Sequence, residues 1–257
     1  METAVVCLAA LLASGLTLFS GFGLGTILTP VMAVFFPVEA AVALTAVVHF
    51  ANNLFKLALF GRKADLGVVL RFGLPALAAS FVGARLLVWL SEQQALDVHD
   101  LFGTVVTITP VKLFLGLLIM GFALLELLPA LSRVGLPPRY LPLGGAISGF
   151  FGGLSGHQGA FRSVFLLRAG LSKEAFIATG VVAACLVDAT RLGVYADFFT
   201  REMLGGKVWL LFWATLSVFA GAYAGKRLVP KMTIGLVRLV VGSMLLGLGG
   251  AMAVGLI

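Results

Sequence analysis

Charge is scarce in this chain. Of its 257 residues, 11% are Asp, Glu, Lys or Arg, against 60% hydrophobic residues, which leaves too little polar surface to cover a soluble globule. Reactive side chains are few as well, with three His and two Cys and no HExxH or comparable metal or nucleophile set. An intramembrane enzyme therefore ranks low among the alternatives, and neither a metal nor another cofactor is expected. Cys7 and Cys185 fall in separate apolar runs without CxxC spacing, so both read as small buried packing residues. The opening Met1-Glu2-Thr3 lacks a basic residue, and the apolar run behind it is expected to be retained. Lys and Arg number 18 against 11 acidic residues, a net charge of +7. They sit in short connections and at helix ends, which argues against nucleic acid as a partner and for membrane topology signals.

What fills the chain instead is lipid-compatible sequence. Apolar runs near 38–60, 66–90, 111–130, 174–196, 207–229 and 234–257 are each long enough for a helix to cross a hydrocarbon core of about 30 Å, which takes about 20 residues. Two more runs, near 4–36 and 141–168, are interrupted by glycine clusters: Gly21-Phe-Gly-Leu-Gly25 and Gly149-Phe-Phe-Gly-Gly-Leu-Ser-Gly-His-Gln-Gly159. The longest polar connections, about 91–109 and 131–140, are short. Membrane lipid is thus the main surrounding partner.

The two halves repeat each other. An offset of 134 pairs Gly25 with Gly159 and Thr45 with Thr179; one residue more pairs Asn53 with Asp188 and Lys56 with Arg191. Arg85-Leu-Leu87 answers Arg227-Leu-Val229, Gly116 answers Gly242, and Gly121 answers Gly247. The preserved order favours duplication over chance in Leu- and Gly-rich helices. It divides the chain into a first membrane repeat, 1–130, and a second, 131–257, integrated into one transport unit.

Charge placement sets the relative orientation of these repeats. Arg62 and Lys63, Arg133 and Arg139, and Lys226, Arg227 and Lys231 mark three basic connections, whereas the one with Glu92, Asp97 and Asp100 has no Lys or Arg. The positive-inside rule places the basic three in the cytoplasm and the acidic one outside. All three basic connections share a side when 141–168 dips in and returns rather than crossing. The expectation is an all-α polytopic membrane protein of two inverted repeats, each with a glycine-broken re-entrant segment and three crossings. Eight full crossings in two parallel halves is the alternative.

The glycine breaks and the helices behind them carry the chemistry. Helix starts inside a membrane expose backbone N–H groups that attract anions by hydrogen bonding and by the helix dipole. First turns at Gly25-Thr26 and Gly159-Ala160 would cradle a small oxyanion. Close helix packing is the alternative use of membrane glycines, favoured for Gly15, Gly73 and Gly83. On the next helix of the first half, Thr45, His49, Asn53 and Lys56 share one face, flanked by Asn52. In the second half Asp188, Arg191 and Tyr195 follow at i, i+3 and i+7. Ionisable groups at membrane depth mark a solute pathway, a proton relay or a paired structural bridge. Asp188 and Arg191 are spaced to neutralise each other, and Lys56 is placed to snorkel toward Arg62 and Lys63. In the second break His157 offers a titratable proton, Gln158 an amide and Arg162 a planar fork of donors suited to an anion.

With these residues in place, the paired openings Ser20-Gly-Phe-Gly-Leu-Gly-Thr-Ile-Leu-Thr-Pro30 and Ser148-Gly-Phe-Phe-Gly-Gly-Leu-Ser-Gly-His-Gln-Gly159, in two four-segment halves, resemble the TauE/SafE sulfite exporter family of bacterial inner-membrane permeases. The resemblance covers nearly the whole chain. It implies a multi-pass protein of the inner membrane that transports sulfite, sulfonates or related small sulfur-containing anions, coupled to an ion gradient. The candidate substrate-binding set is Gly25, Thr26, Asn52, Asn53, Lys56, His157, Gln158, Gly159, Arg162 and Arg191, with His157 and Asp188 as candidate proton-coupling groups. A passive anion channel is the closest alternative, and a homo-oligomer is left open.

Overall fold

The computed structural model describes residues 1–20, 23–101, 104–127, 135–198, 207–228 and 234–257. Gly21 and Phe22 of the first break, and Arg133 and Lys231 among the topology markers, lie outside them. The apolar runs are helices: α1 Glu2–Ser20, α2 Leu24–Ala33, α3 Val38–Phe60, α4 Leu66–Ser91, α5 Pro110–Leu127, α6 Leu141–Ser155, α7 Gly159–Leu166, α8 Lys173–Val194, α9 Val208–Leu228 and α10 Ile234–Ala253. Within α4, Val69–Gly73 form a π turn. Val38–Leu59 of α3, all of α4 and all of α8 are long and apolar enough to cross a membrane.

Helix boundaries follow local chemistry. The Asp65 carboxylate caps α4 by accepting from Val68 N at 2.9 Å, and the Ser172 hydroxyl caps α8 by accepting from Ala175 N at 3.2 Å, each satisfying an N–H that the helix cannot. Glu174 in the first turn of α8 complements the helix dipole there.

The acidic connection carries a small antiparallel hairpin, β1 Asp97–Leu101 and β2 Thr104–Ile108, with His99 opposite Val106. The chain is therefore mostly, not wholly, helical. Val106 is buried, and a Cβ added at Gly255 would sit 2.6 Å from Thr107 O, so the hairpin rests on the turn that ends α10.

Helix pairs are set by glycine. Added Cβ atoms at Gly145, Gly149 and Gly153 of α6 would run into the carbonyl oxygens of Phe72, Ala76 and Ser80, and one at Gly83 into that of Phe150. Numbers rise together on both helices, so α4 and α6 run parallel in backbone-to-backbone contact, the use of small residues expected in membranes. A Cβ at Gly221 would likewise meet the Leu11 carbonyl, which joins α1 to α9. By contrast α5 and α10 are antiparallel: Gly116 faces Gly249 and Ala253, while Gly242 faces Leu127. The α3 and α8 pair is antiparallel too, because His49 and Asn53 meet Asp188 whereas Asp65 N, just past α3, donates to Thr179 Oγ1 at 3.0 Å.

The second break folds back on itself. Ser148 Oγ donates to Gln158 O at 3.0 Å, Gly144 lies against the Phe165 ring, and Leu136 N donates to Val164 O at 3.2 Å. The chain thus enters α6 and leaves α7 at the same end. The 15 residues of α6 reach about 22 Å at 1.5 Å per residue, short of a bilayer's hydrocarbon core. Val68, Phe72, Leu141, Phe165, Leu166 and Val187 form the apolar cluster that seats this hairpin between α4 and α8.

Candidate functional site

Asp188, fully buried on α8, is the centre of a polar network drawn from three elements. Its Oδ2 lies 2.6 Å from His49 Nδ1 and accepts from Asn53 Nδ2 at 2.8 Å. Asn53 Nδ2 is also 3.0 Å from His49 Nδ1; both nitrogens reach the same carboxylate oxygen, which satisfies them together when His49 donates from Nδ1. The other oxygen, Oδ1, accepts from Arg191 Nε at 3.0 Å, lies 2.9 Å from Arg191 Nη2, and receives a longer bond, 3.4 Å, from Gln158 Nε2. A carboxylate and a guanidinium at 0% exposure are tolerated because each supplies the other's countercharge and hydrogen bonds.

The second glycine break brings backbone to this network. Gly156 ends α6 in the left-handed region, φ 82°, a conformation glycine adopts without the penalty a Cβ brings. A Cβ there would also sit 2.8 Å from Arg191 Nη1. Nη1 is buried and has no hydrogen-bond partner among the described residues, so one edge of a fixed cation faces the break. The first break meets the second: a Cβ on Gly25 would lie 3.1 Å from Gly156 O, and one on Gly23 would lie 3.9 Å from Gly159 N. Both helices that start at a break, α2 and α7, therefore begin beside the Gly156 turn that meets Arg191. Thr26, Gln158 and Gly159 are buried there.

The remaining candidates are spread around this centre. Asn52 is buried and its Oδ1 has no hydrogen-bond partner among the described residues. Arg162 lies across Gly180 of α8, with Nε 3.3 Å from where a Cβ would stand, and its Nη1 is likewise buried and unpartnered among the described residues. Lys56 is partly buried on α3. His157 makes no contact with the carboxylate in this network. Its Nδ1 lies 3.0 Å from Ser155 Oγ and 3.2 Å from Ser155 O, and its ring stacks on Phe122 at 5.1 Å. Phe122, Phe151 and Phe161 pack on one another beside it. Cys7 and Cys185 are free and only partly buried, less enclosed than their apolar surroundings suggest.

His49 is the residue that the candidate set leaves out. It stands one turn before Asn53 on the same α3 face, so once the repeat aligns Asn53 with Asp188, a contact between the two helices brings His49 within reach of that carboxylate. Tyr195, at the end of the α8 stripe, donates its hydroxyl to the Gly153 carbonyl and so fixes α8 against α6.

A family model described as Sulfite exporter TauE/SafE matches residues 6–252. No curated protein and no solved structure matches the chain.

Proposed function

Because the chain belongs to the TauE/SafE sulfite exporter family, a family of membrane transporters, we propose that it carries a small sulfur-containing anion, sulfite or an organosulfonate, across the bacterial inner membrane as a proton-coupled secondary transporter. The observation that carries this reading is Arg191: a fully buried guanidinium whose free edge faces the left-handed Gly156 turn. Oxyanions are bound by such guanidinium forks and by helix N-termini together. The backbone of the two breaks, at Gly25, Thr26 and Gly159, with Gln158, Asn52 and Asn53, would hold the oxygens. Arg191, Arg162 and Lys56 offset the charge, and a proton taken up by a buried titratable group beside them, among which His157 and Asp188 are candidates, links movement to the gradient.

The packing pattern supports two inverted repeats, 1–130 and 131–257. Exchanging α1–α5 for α6–α10 turns the α4·α6 pair into α9·α1 and returns α3·α8 and α5·α10 to themselves, pairs that are all in contact. Repeat-related helices in contact, α3 with α8 and α5 with α10, run antiparallel, as a twofold axis in the membrane plane requires. The returning α6–α7 hairpin supports six crossings and two re-entrant segments. Exposed Leu8, Leu59, Val82, Leu117 and Trp209 then face lipid, with multi-pass insertion.

Uptake of labelled sulfite into proteoliposomes, with and without an imposed pH gradient, tests the reading. Accumulation that collapses with the gradient supports it. Flux that never exceeds equilibration identifies a passive anion channel, and no flux above empty liposomes from inserted protein removes sulfite as the substrate.

A further inference from the structure

The geometry points to His49, rather than His157, as the group that carries the coupling proton, and to Asp188 as a counterion shared between His49 and Arg191, so that proton and anion bind together. This rests on the proton-coupled reading above and adds the identity of the proton carrier and the sign of the coupling.

The two buried histidines differ in what surrounds them. His157 packs against Phe122, with only Ser155 oxygens near its Nδ1. No carboxylate is hydrogen-bonded to it among the described residues, so among them an imidazolium there has no partner carboxylate to offset its charge. His49 instead has Asp188 Oδ2 at 2.6 Å, a partner that stabilises the charged ring.

Asp188 divides its two oxygens between its partners. Oδ2 serves His49 and Asn53, and Oδ1 serves Arg191 and Gln158. With His49 neutral, the single carboxylate balances Arg191, and the pair presents no net charge to the glycine breaks. With a proton on His49, one carboxylate stands between two cations, and a full positive charge is exposed to the breaks through Arg191 Nη1. An anion seated there restores neutrality. One proton therefore accompanies one negative charge, and the two travel in the same direction, set by the sum of their gradients. Other charged or titratable groups near this cluster are Lys56 from α3, Arg162 from α7, Cys185 and Tyr195 on or just beyond α8, and His157 at the break. Lys56 and Arg162 add positive potential in both states, which strengthens anion binding without changing the difference between them.

The test uses the full chain in proteoliposomes with labelled sulfite. Two flux assays are compared: accumulation driven by an imposed pH gradient, and gradient-free exchange of internal for external sulfite at several pH values. His49→Asn keeps a side-chain N–H near the Nδ1 position but cannot bind a proton, and His49→Lys holds a fixed charge there. Each variant is taken forward as a monodisperse, reconstituted protein. Both are expected to lose gradient-driven accumulation; exchange by His49→Lys stays measurable and ceases to depend on pH, whereas exchange by His49→Asn, held in the neutral state, falls toward that of empty liposomes at every pH. Accumulation by either variant at the wild-type level overturns the assignment and leaves coupled transport standing. If neither variant reconstitutes, His49→Gln takes their place with the same two outcomes, and the wild-type protein tests the sign of the coupling: acidification of the side from which sulfite enters, which signals antiport, overturns it. Wild-type protein that moves sulfite without response to a pH gradient overturns the underlying reading instead, a distinct outcome.

Discussion

Asn53 and Asp188, which the internal repeat aligns with each other, are in direct contact, Asn53 Nδ2 donating to Asp188 Oδ2 at 2.8 Å. Equivalent residues of two related halves touch only where the axis relating them passes. On the inverted-repeat reading proposed above, the axis runs through an amide facing a carboxylate. Symmetric carboxylates there would repel, so divergence to Asn on one side removes a buried like-charge pair.

Asn53→Asp should therefore be damaging, because it sets a second carboxylate against Asp188 and replaces the N–H donor. The expected result is a lower melting temperature in detergent and loss of sulfite flux. Exchanging the pair, Asn53→Asp with Asp188→Asn, restores one carboxylate and one amide at the axis and should recover stability ahead of transport, since Arg191 stays behind on α8. Recovery no better than the single variant would remove the axial relationship.

Asp188→Asn by itself leaves the Arg191 guanidinium, 0% exposed, without its countercharge. Breaking a buried pair in this way costs roughly 3–5 kcal/mol, so the variant should unfold at markedly lower temperature. Adding Arg191→Gln should recover much of that stability, because the uncompensated charge is gone, while sulfite transport stays lost. A double variant that melts as early as the single one would show that the pair does not act as a unit.

Much of this centre was legible in the sequence because helical spacing places Asn53, Asp188 and Arg191 on defined faces, and the repeat offset says which faces correspond. Glycine spacing also located both breaks. Less legible was the pairing of His49 with Asp188, since the antiparallel contact of α3 and α8 is set by long-range packing. Spacing singles out His157, in the break, as the titratable group; what distinguishes it from His49, the Phe122 ring on one and the Asp188 carboxylate on the other, comes from long-range packing. The β-hairpin in the acidic connection escaped detection because its two five-residue strands mix charge with Val and Thr and come after an apolar helix without a strong turn signal.

Glycines of one composition class should respond in opposite ways. Gly149→Ala puts a methyl group against the Ala76 carbonyl, and separating α4 from α6 to admit it should cost about 1–3 kcal/mol, with the hairpin displaced from Arg191. Gly121, in α5, has nothing within 4 Å of an added Cβ. Gly121→Ala should be neutral or stabilise by up to about 1 kcal/mol through helix propensity. Thermal melts of the two variants, beside sulfite exchange rates, separate packing glycines from open ones.

Sidedness is decided by the returning hairpin. Arg139 and Arg168 are exposed at its two ends, and the bond from Leu136 N to Val164 O holds those ends together. Val105 is 71% exposed on the β-hairpin, beyond the far end of α4. Single cysteines introduced at these three positions, after Cys7→Ala and Cys185→Ala, should react with an impermeant maleimide in two groups: positions 139 and 168 from one face of the membrane, position 105 from the other. By the positive-inside rule the first face is the one expected in the cytoplasm, so labelling of intact cells should reach only position 105. Should positions 139 and 168 label from opposite faces, α6 and α7 cross the membrane, the repeats run parallel, and the antiparallel contact of α3 with α8 loses its explanation by a twofold axis.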